Sequence, residues 1–323
     1  MDEFALIKTY FSPLGVAYSG SLNLSDDAAV ITPPPGCDLV VTKDAISEGV
    51  HFIGNEDPAL IAKKLLRVNL SDLAAMGATP VAYFLAVILP RNTSVIFVER
   101  FAEGLNEDQT SYGIALAGGD TISTHGTLSF SLTALGSVAT GRALKRSGAR
   151  AGDLVYVSGT LGDSAIGLKL LQANLDANLL PQATDYLSKR YYLPEPRLAL
   201  GQKLVGIASS CMDISDGLLQ DLGHICTASQ CGARIERAKL PLSTIVRSLV
   251  SSDEKLWDDV VAGGDDYELL FTVPADRQWQ VEALSNELGL TLSHIGSITE
   301  GSDSAFLDEQ GNVLPKPKGF KHF

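Results

Sequence analysis

Aspartates recur at six places in settings that suit ligand binding. They are Asp26-Asp27 in SDDAAV, Asp44 in VTKDAISEGVHF, Asp72 in NLSDLAAMG, Asp120 in AGGDT, Asp213 and Asp216 in MDISDGL, and Asp265-Asp266 in GGDDYEL. Several follow a predicted strand directly, where loops present side chains for binding. Hard divalent cations require such oxygens. Magnesium takes one or two carboxylates per ion and fills its octahedron with waters and substrate phosphates. Six separate positions suit several magnesium ions around a polyphosphate.

Asp72 is the most telling of them. Asp57 to Thr79 reads as one helix, with Asp57 as cap, Pro58 in the first turn, Gly77 at the end and Pro80 beyond. At about 100° per residue, Lys63, Lys64, Arg67 and Ser71 form a polar face. Asp72 falls on the opposite face, among Ile61, Leu65, Val68 and Met76, with Asn69 on the same side. A carboxylate taken out of water is costly unless a cation or several donors compensate it. A metal ion is one such partner, and a buried Arg or Lys is the other. The remaining acids each have a plainer reading. Asp26-Asp27 fits a turn, Gly118-Gly119-Asp120 a turn before a strand, and Asp265-Asp266 a solvated loop. Asp216 or Ser215 can cap a helix from Gly217.

The loop Ser158–Ser164 (SGTLGDS) follows a strand and opens a helix, as phosphate loops do. The chain lacks G-x-x-x-x-G-K-[ST] and G-x-G-x-x-G, so ATP use would not be of the P-loop or protein-kinase type. G-x-S-x-G and H-E-x-x-H are also missing, and no cysteine sits in a nucleophile setting. Of five scattered histidines, His51 in EGVHF is the most suggestive, though a lone His is more often structural.

Two halves must position these groups. In the first, a helix near Glu3–Phe11 precedes a loop, strands at Ala28–Thr32 and Leu39–Thr42, and the Asp72 helix. A buried strand at Val81–Leu89, a helix at Ser94–Tyr112 and strands at Ile114–Ala117 and Thr127–Val138 follow. Gly141–Gly152, with four cations and three glycines, reads as the connection. In the second half, strands are expected at Leu154–Ser158, Cys211–Ile214, Tyr267–Val273, Thr291–Ile298 and Ser304–Leu307. Helices are expected at Gly162–Leu171, Arg197–Val205, Leu218–Ser229 and Asp276–Leu288. This order points to an α+β fold of mixed α/β layers, with domains 1–145 and 146–323.

The 323 residues include 45% hydrophobic side chains, enough for real cores, and carry a net charge of −13. That charge argues against nonspecific nucleic-acid binding and against docking on anionic membranes. Cys37, Cys211, Cys226 and Cys231 form no C-x-x-C pair, so free thiols in a reducing cytoplasm are expected. The N-terminus has no signal-peptide pattern, and Val81–Leu89 is too short to span a bilayer.

Taken together, SDDAAV, TKDAISEGVHF, KLLRVNLSDLAAMGATP, AGGDT, GRALKRSGARAGD, VSGTLGDSAIGL, MDISDGLLQDLGHI, GGDDYELLFT and the terminal KGFKHF resemble the thiamine-monophosphate kinase family. These segments run in order over nearly the whole chain. VNLSDLAAMGA and DISDGL are shared more loosely with aminoimidazole ribonucleotide synthetase and selenophosphate synthetase. EGVHF, GTLGDSA and the C-terminal aromatic favour the kinase. The resemblance implies transfer of phosphate from ATP to thiamine monophosphate, the last step to thiamine diphosphate, by a cytoplasmic enzyme. It implies the two-domain fold of that superfamily, usually a homodimer whose N-terminal sheets join into a barrel.

The same resemblance places Asp27, Thr42, Asp44, Asp72, Asp120, Asp213 and Asp216 at magnesium sites. It matches Tyr112, Gly119, Asp120, Arg146 and Ser215 to nucleotide-contacting positions. It matches His51, Asp265 and Phe320 to positions that hold the thiamine phosphate. Lys43 stands where the family has a small hydroxyl residue, so a metal contact there would come from its carbonyl. GGDD replaces the usual GGED, which makes Asp265 one methylene shorter. The rival readings are a purine-synthesis cyclo-ligase of the same superfamily and a non-catalytic divalent-metal binder. The first 36 residues hold no cysteine, unlike selenophosphate relatives.

Overall fold

The computed structural model describes residues 3–175 and 179–317. The chain forms two compact units, Met1–Leu73 with Ala78–Gly141, and Ala74–Gly77 with Arg142–Phe323.

The first unit opens with α1 (Glu3–Leu6), a π turn over Ile7–Phe11, α2 (Ser12–Gly15) and a 3-10 stretch over Ser19–Leu24. Then come β1 (Cys37–Ser47), α3 (Pro58–Ala75), β2 (Thr79–Pro90), α4 (Val95–Tyr112), β3 (Ala115–Thr124) and β4 (Ser129–Ala139). The sheet order is β1-β4-β2-β3. β2 and β3 are parallel, joined by the α4 crossover, and the other pairs are antiparallel. Alternation sets the two faces. Ile46, Leu132, Ala134, Tyr83 and Leu85 are buried under the helices. The Phe101 and Phe130 rings stack with centroids 4.4 Å apart, fixing α4 on β4. On the other face Val41 is 60% and Ile122 50% exposed.

α3 starts and stops as its residues require. Asp57 Oδ1 accepts from the Ala59 amide at 3.0 Å, and Arg100 holds the Asp57 carboxyl below its ordinary pKa. Gly77 takes φ +70°, which lets the Ala78 amide reach the Leu73 carbonyl at 2.9 Å. The polar stripe of this helix is covered by α4. Arg67 forks onto Asp108 at 2.6 and 2.9 Å, Lys63 meets Glu107 at 2.5 Å, and Lys64 and Ser71 are buried.

No strand forms over Ala28–Thr32, contrary to the sequence expectation. The Val30 amide goes to the Gly20 carbonyl instead, and Pro33–Pro35 follow at once with no N–H for a ladder. β3 also runs through Gly118-Gly119-Asp120, where a turn was the plainer reading. Gly119 is required there, because a Cβ would lie 2.0 Å from the Leu85 carbonyl oxygen.

The second unit contains β5 (Leu154–Ser158), α5 (Asp163–Leu171), α6 (Pro181–Tyr192), α7 (Leu198–Leu204), β6 (Ser210–Asp213), α8 (Leu218–Ser229) and β7 (Gly232–Glu236). α9 (Thr244–Ser252), α10 (Leu256–Ala262), β8 (Leu269–Val273), α11 (Gln278–Leu288), β9 (Leu292–Thr299) and β10 (Ala305–Leu307) complete it. The sheet order is β10-β7-β9-β5-β8-β6, and only β10 and β7 pair in parallel. Successive strand residues feed two cores. Val155, Val157 and Leu270 pack with Ile166, Leu187, Leu222 and Val246, while Tyr156, Phe271 and Val273 pack with Leu200, Leu204, Val281 and Leu284. The sheet is therefore buried on both faces, which explains the apolar run LLFTV in β8. β7, α6, α9 and α10 were not anticipated from sequence.

Candidate active site

In the first unit, β1 and α3 bring together Thr42, Asp44, Asn69 and Asp72. Thr42, Asp44 and Ile46 alternate on the helix-facing side of β1, and Val41, Lys43 and Ala45 are exposed on the other. The Thr42 hydroxyl donates to Asp72 Oδ2. The Asp44 amide donates to Asn69 Oδ1 at 3.2 Å, and Asn69 Nδ2 donates to the Leu65 carbonyl at 2.9 Å. Burial raises the Asp44 pKa to about 6, and the charge of Asp72 and a hydrogen bond between the two carboxyls add to the rise. The two acids thus face each other as like charges in a half-buried site, an arrangement a divalent cation would relieve. The Lys43 side chain lies on the opposite face, so only its carbonyl remains for such a contact.

Asp26, Asp27, Gly118, Gly119 and Asp120 line a second feature of the same unit. This is a cleft of about 460 Å³ with Ile7, Phe11 and Phe84 in its walls. Leu22, Asn23 and Leu24 beside it take left-handed backbone, at φ 50°, 57° and 53°. Such conformations persist only where the surroundings impose them, and they cluster at functional sites. The cleft and the Asp44–Asp72 pair are separate in one chain. Asp120 stands in register with Ala86, Ser131 and Ala45, whereas Asp44 is in register with Leu132, Leu85 and Gly119. The two acids lie on opposite faces of the sheet, on its two edge strands.

His51 folds back on the end of β1, where its Nδ1 accepts from the Ser47 amide at 3.2 Å. That bond assigns the proton of the neutral ring to Nε2. Tyr112 sits at the end of α4, with the Arg67 guanidinium 5.6 Å from its ring centre. It belongs to the α4-covered side of α3, away from Asp72.

In the second unit two acidic segments lie side by side. The Asp265 amide donates to the Ser215 carbonyl at 2.8 Å, the Tyr267 amide to the Ile214 carbonyl at 2.8 Å, and the Ile214 amide to the Glu268 carbonyl at 2.9 Å. Asp213, Ser215, Asp216 and Asp265 are thereby brought together. Asp265 and Tyr267 both take left-handed backbone, at φ 59° and 50°. Asp266 and Glu268 point inward and are buried, so the solvated-loop reading of Asp265-Asp266 fails. The helix cap expected from Asp216 or Ser215 is not made, since Gly217 is the cap residue and receives no side-chain bond.

Asp221, which sequence reasoning passed over, is 1% exposed and accepts from the Ser215 and Asp216 amides at 3.0 and 3.1 Å. Burial pushes its pKa to about 7, while those amides and the charge of Arg146 pull it down. Its signal was present, because Asp221 lies among Leu218, Leu222 and Ile225 on the apolar face of a helix. Phe320 lies outside the described residues.

The loop Ser158–Ser164 is not a phosphate cradle. Its Gly159, Leu161 and Gly162 amides go to the Thr291 carbonyl, the Pro241 carbonyl and Asp266 Oδ1. The fully buried Asp163 accepts from Thr160, Tyr186 and Ser243. Glu268, also fully buried, takes a two-pronged contact from Arg197 at 2.7 and 2.5 Å and bonds from Arg190 and Ser158. Burial raises the Asp266 pKa well above its ordinary value.

Among the described residues, no three His, Cys, Asp or Glu side chains converge as a ready-made metal cage. Magnesium does not require one, since it binds through one or two carboxylates completed by phosphates and water. The Asp44–Asp72 pair fits that pattern.

The model of the AIR synthase related protein N-terminal domain matches residues 25–138, and that of the C-terminal domain matches 150–309. Thiamine-monophosphate kinase of Escherichia coli K12 is 42% identical over 99% of this chain and 98% of its own length. The thiamine-monophosphate kinase structure from Stenotrophomonas maltophilia is 41% identical, covers 90% of each chain and has a TM-score of 0.82. AaThiL complexed with AMPPCP and TMP is 33% identical, covers 92% of this chain and 91% of its own, and has a TM-score of 0.79. The chain belongs to the thiamine-monophosphate kinases, within the AIR synthase related proteins.

Proposed function

We propose that this chain transfers the γ-phosphoryl group of ATP to the phosphate of thiamine monophosphate, giving thiamine diphosphate and ADP. The observation that carries this reading is the Asp44–Asp72 carboxyl pair, half-buried, facing each other and backed by the Thr42 hydroxyl. Phosphoryl transfer asks a protein mainly to position groups and neutralise charge. Asp44 and Asp72 would hold magnesium there, and the ion would supply positive charge against the nucleotide and substrate phosphates.

The residues supply the rest. In the first unit Asp44 and Asp72 hold negative charge rigidly on a strand and a helix, with Thr42 as a further oxygen. Asp27 and Asp120 line the cleft beside β3 as further carboxylates for metal, and Gly119 and Asp120 meet the nucleotide there; Tyr112, on the α4-covered side of α3, is this unit's other nucleotide contact. The neutral His51 ring donates from Nε2 to the thiamine phosphate. In the second unit Asp213 and Asp216 are the carboxylates for metal, Ser215 and Arg146 meet the nucleotide, and Asp265 meets the substrate together with Phe320. A monophosphate oxygen is already anionic, so it attacks the γ-phosphorus in line without a general base.

In this reading residues 1–145 are the nucleotide, metal and dimerisation domain and 146–323 the second domain. A homodimer is supported by the sheet of the first unit. Its outer face carries exposed Val41 and Ile122, and its edges are β1 and β3. Two such sheets related by a two-fold axis close both edges at once, β1 of each copy beside β3 of the other. That closure brings Asp120 of one copy toward the Asp44 edge of the other. Cytoplasmic location is supported by four free thiols. Among the described residues no helix is long and apolar enough to cross a membrane.

The direct test is incubation of the full chain with ATP, magnesium and thiamine monophosphate. Thiamine diphosphate is the expected product, and its absence refutes the assignment. Formylglycinamidine turnover would favour the cyclo-ligase, and magnesium binding indifferent to nucleotide would favour the simple metal binder.

A pH-dependent effect of magnesium also follows. The folded Asp44 pKa is raised from 3.8 to about 6, so the folded state binds a proton that the unfolded state has released in that window. Stability of the metal-free protein therefore falls as pH rises from about 4 to about 6. Asp44 and Asp72 would hold a divalent cation in place of that proton. Magnesium should raise the melting temperature more near pH 8 than near pH 5, as a thermal-shift series would show. An equal gain at both pH values would count against the pair as a metal site.

A further inference from the structure

The structure assigns to α8 the role of a template for the second unit's share of this chemistry, with Asp221 and Ser229 as positioning residues at its two ends. The assignment rests on the kinase reading for its purpose, while its geometry stands alone. Neither residue has a place in the metal, nucleotide or substrate sets above.

At the start of α8, the Ser215 and Asp216 amides precede the helix. Gly217, at φ +109°, turns the chain so that they fall outside its hydrogen-bond ladder. Half-buried amides of that kind need an acceptor. Asp221 Oδ2 accepts both, at 3.0 and 3.1 Å. Two amides converging on one oxygen set the turn. The Asp216 carboxylate is directed back along the helix, where Gln220 Nε2 donates to it at 3.0 Å. The Ser215 carbonyl is left to receive the Asp265 amide at 2.8 Å. One buried carboxylate thus sets Ser215 and Asp216 directly, and Asp265 through them.

Ser229 is the last residue of α8, eight positions on, which is about 12 Å along a helix axis. Its hydroxyl donates to the Arg146 carbonyl at 3.2 Å and accepts the Gly148 and Ala149 amides at 3.1 and 3.2 Å. Those three bonds use its full capacity of one proton and two lone pairs. Gly148 is locked in the same loop, because a Cβ there would lie 2.3 Å from the Ser209 carbonyl oxygen. The backbone of Arg146 is therefore tied to the C-terminal end of α8, and its charge acts on Asp221 near the other end. A rigid helix sets the spacing between the Arg146 loop and the acidic loop, and each end has one side chain that makes the attachment.

The two ends predict different kinetic signatures in the full-length enzyme. Asp221→Ala should lower kcat about 10–100-fold and raise the magnesium concentration for half activity. Asp221→Asn keeps an oxygen for both amides and should stay within about threefold of wild type. Ser229→Ala should raise KM for ATP about tenfold with kcat nearly unchanged, and Ser229→Thr should restore it.

Residues that matter only for stability would lower the melting temperature and the active fraction, leaving KM and the magnesium dependence of the surviving enzyme at wild-type values. That pattern would overturn the assignment, as would wild-type kinetics in Asp221→Ala or Ser229→Ala. If Asp221→Ala does not fold, Asp221→Asn and the Ser229 pair decide the matter. Calorimetric binding of magnesium with a nonhydrolysable ATP analogue keeps the outcome independent of the substrate. Weaker binding by Ser229→Ala supports the template even if wild type makes no thiamine diphosphate, and equal binding refutes it.

Discussion

Asp72→Asn is expected to lower turnover of thiamine monophosphate about a thousandfold or more while the protein stays folded. The scale follows from charge. A bound metal supplies several kcal/mol of transition-state stabilisation, and each ~1.4 kcal/mol is a factor of ten in rate. Neutralising one of two facing carboxyls removes the attraction that holds the cation there. The fold loses little, because an amide oxygen can still accept from the Thr42 hydroxyl as Asp72 Oδ2 does. The amide can also donate to the Asp44 carboxylate, where two like charges now face each other.

The substitution therefore removes two causes of the raised Asp44 pKa, the like charge and the shared hydrogen bond. Burial, the largest cause, remains. Melting without metal near pH 8 should be at least as high as in wild type, and the gain on adding magnesium should vanish. Steady-state kinetics and a thermal-shift titration measure the two parts. Near-normal turnover in Asp72→Asn would sink the metal role of this pair.

Asp72 was legible because helical geometry is local. Its angular position on α3 follows from spacing alone, and the partner on β1 had only to exist. The same spacing put Lys63, Lys64, Arg67 and Ser71 on a common face, yet it could not show that α4 covers them, since Glu107 and Asp108 come from 41 or more residues away. Asp221 satisfies the rule that identified Asp72, but its role depends on the turn at Gly217 that delivers the Ser215 and Asp216 amides to it, which spacing alone does not show. Gly118-Gly119 looks like a turn in sequence. It is strand because β2 approaches so closely that Gly119 cannot carry a side chain, a fact of pairing that no local pattern contains. Ala28–Thr32 shows the converse, since β propensity without a partner strand gives no strand. The family motifs carry the acids of both units, but the register that separates Asp120 from Asp44 is visible only in the folded sheet.

Glu268→Ala tests a different kind of acid, and its expected effect is on stability. The side chain is fully buried and holds Arg190, Arg197 and the Ser158 hydroxyl. Removing one partner of a buried ion pair costs about 3–5 kcal/mol, because the remaining charge is left uncompensated. Asp163, Asp266 and Glu268 are three carboxyls beside two guanidiniums, and burial raises the Asp266 pKa well above its ordinary value. In the variant Arg190 still has the Asp163 carboxylate at 3.9 Å. Arg197 keeps Glu195, at 2.9 Å and on the surface, where screening makes such a pair worth little.

The loss should thus sit near the lower end, about 3 kcal/mol, and lower the melting temperature by roughly 6–12 °C. Calorimetry reads it directly, and a shift under about 2 °C would show that the network does not hold this unit together. The contact to the acidic loop runs through the Glu268 carbonyl, which the substitution leaves in place to accept the Ile214 amide. At temperatures where it remains folded, Glu268→Ala should therefore keep most of its turnover. Asp72→Asn inverts that pattern, with stability kept and turnover lost, so the two variants separate acids that hold the protein from acids proposed to hold metal.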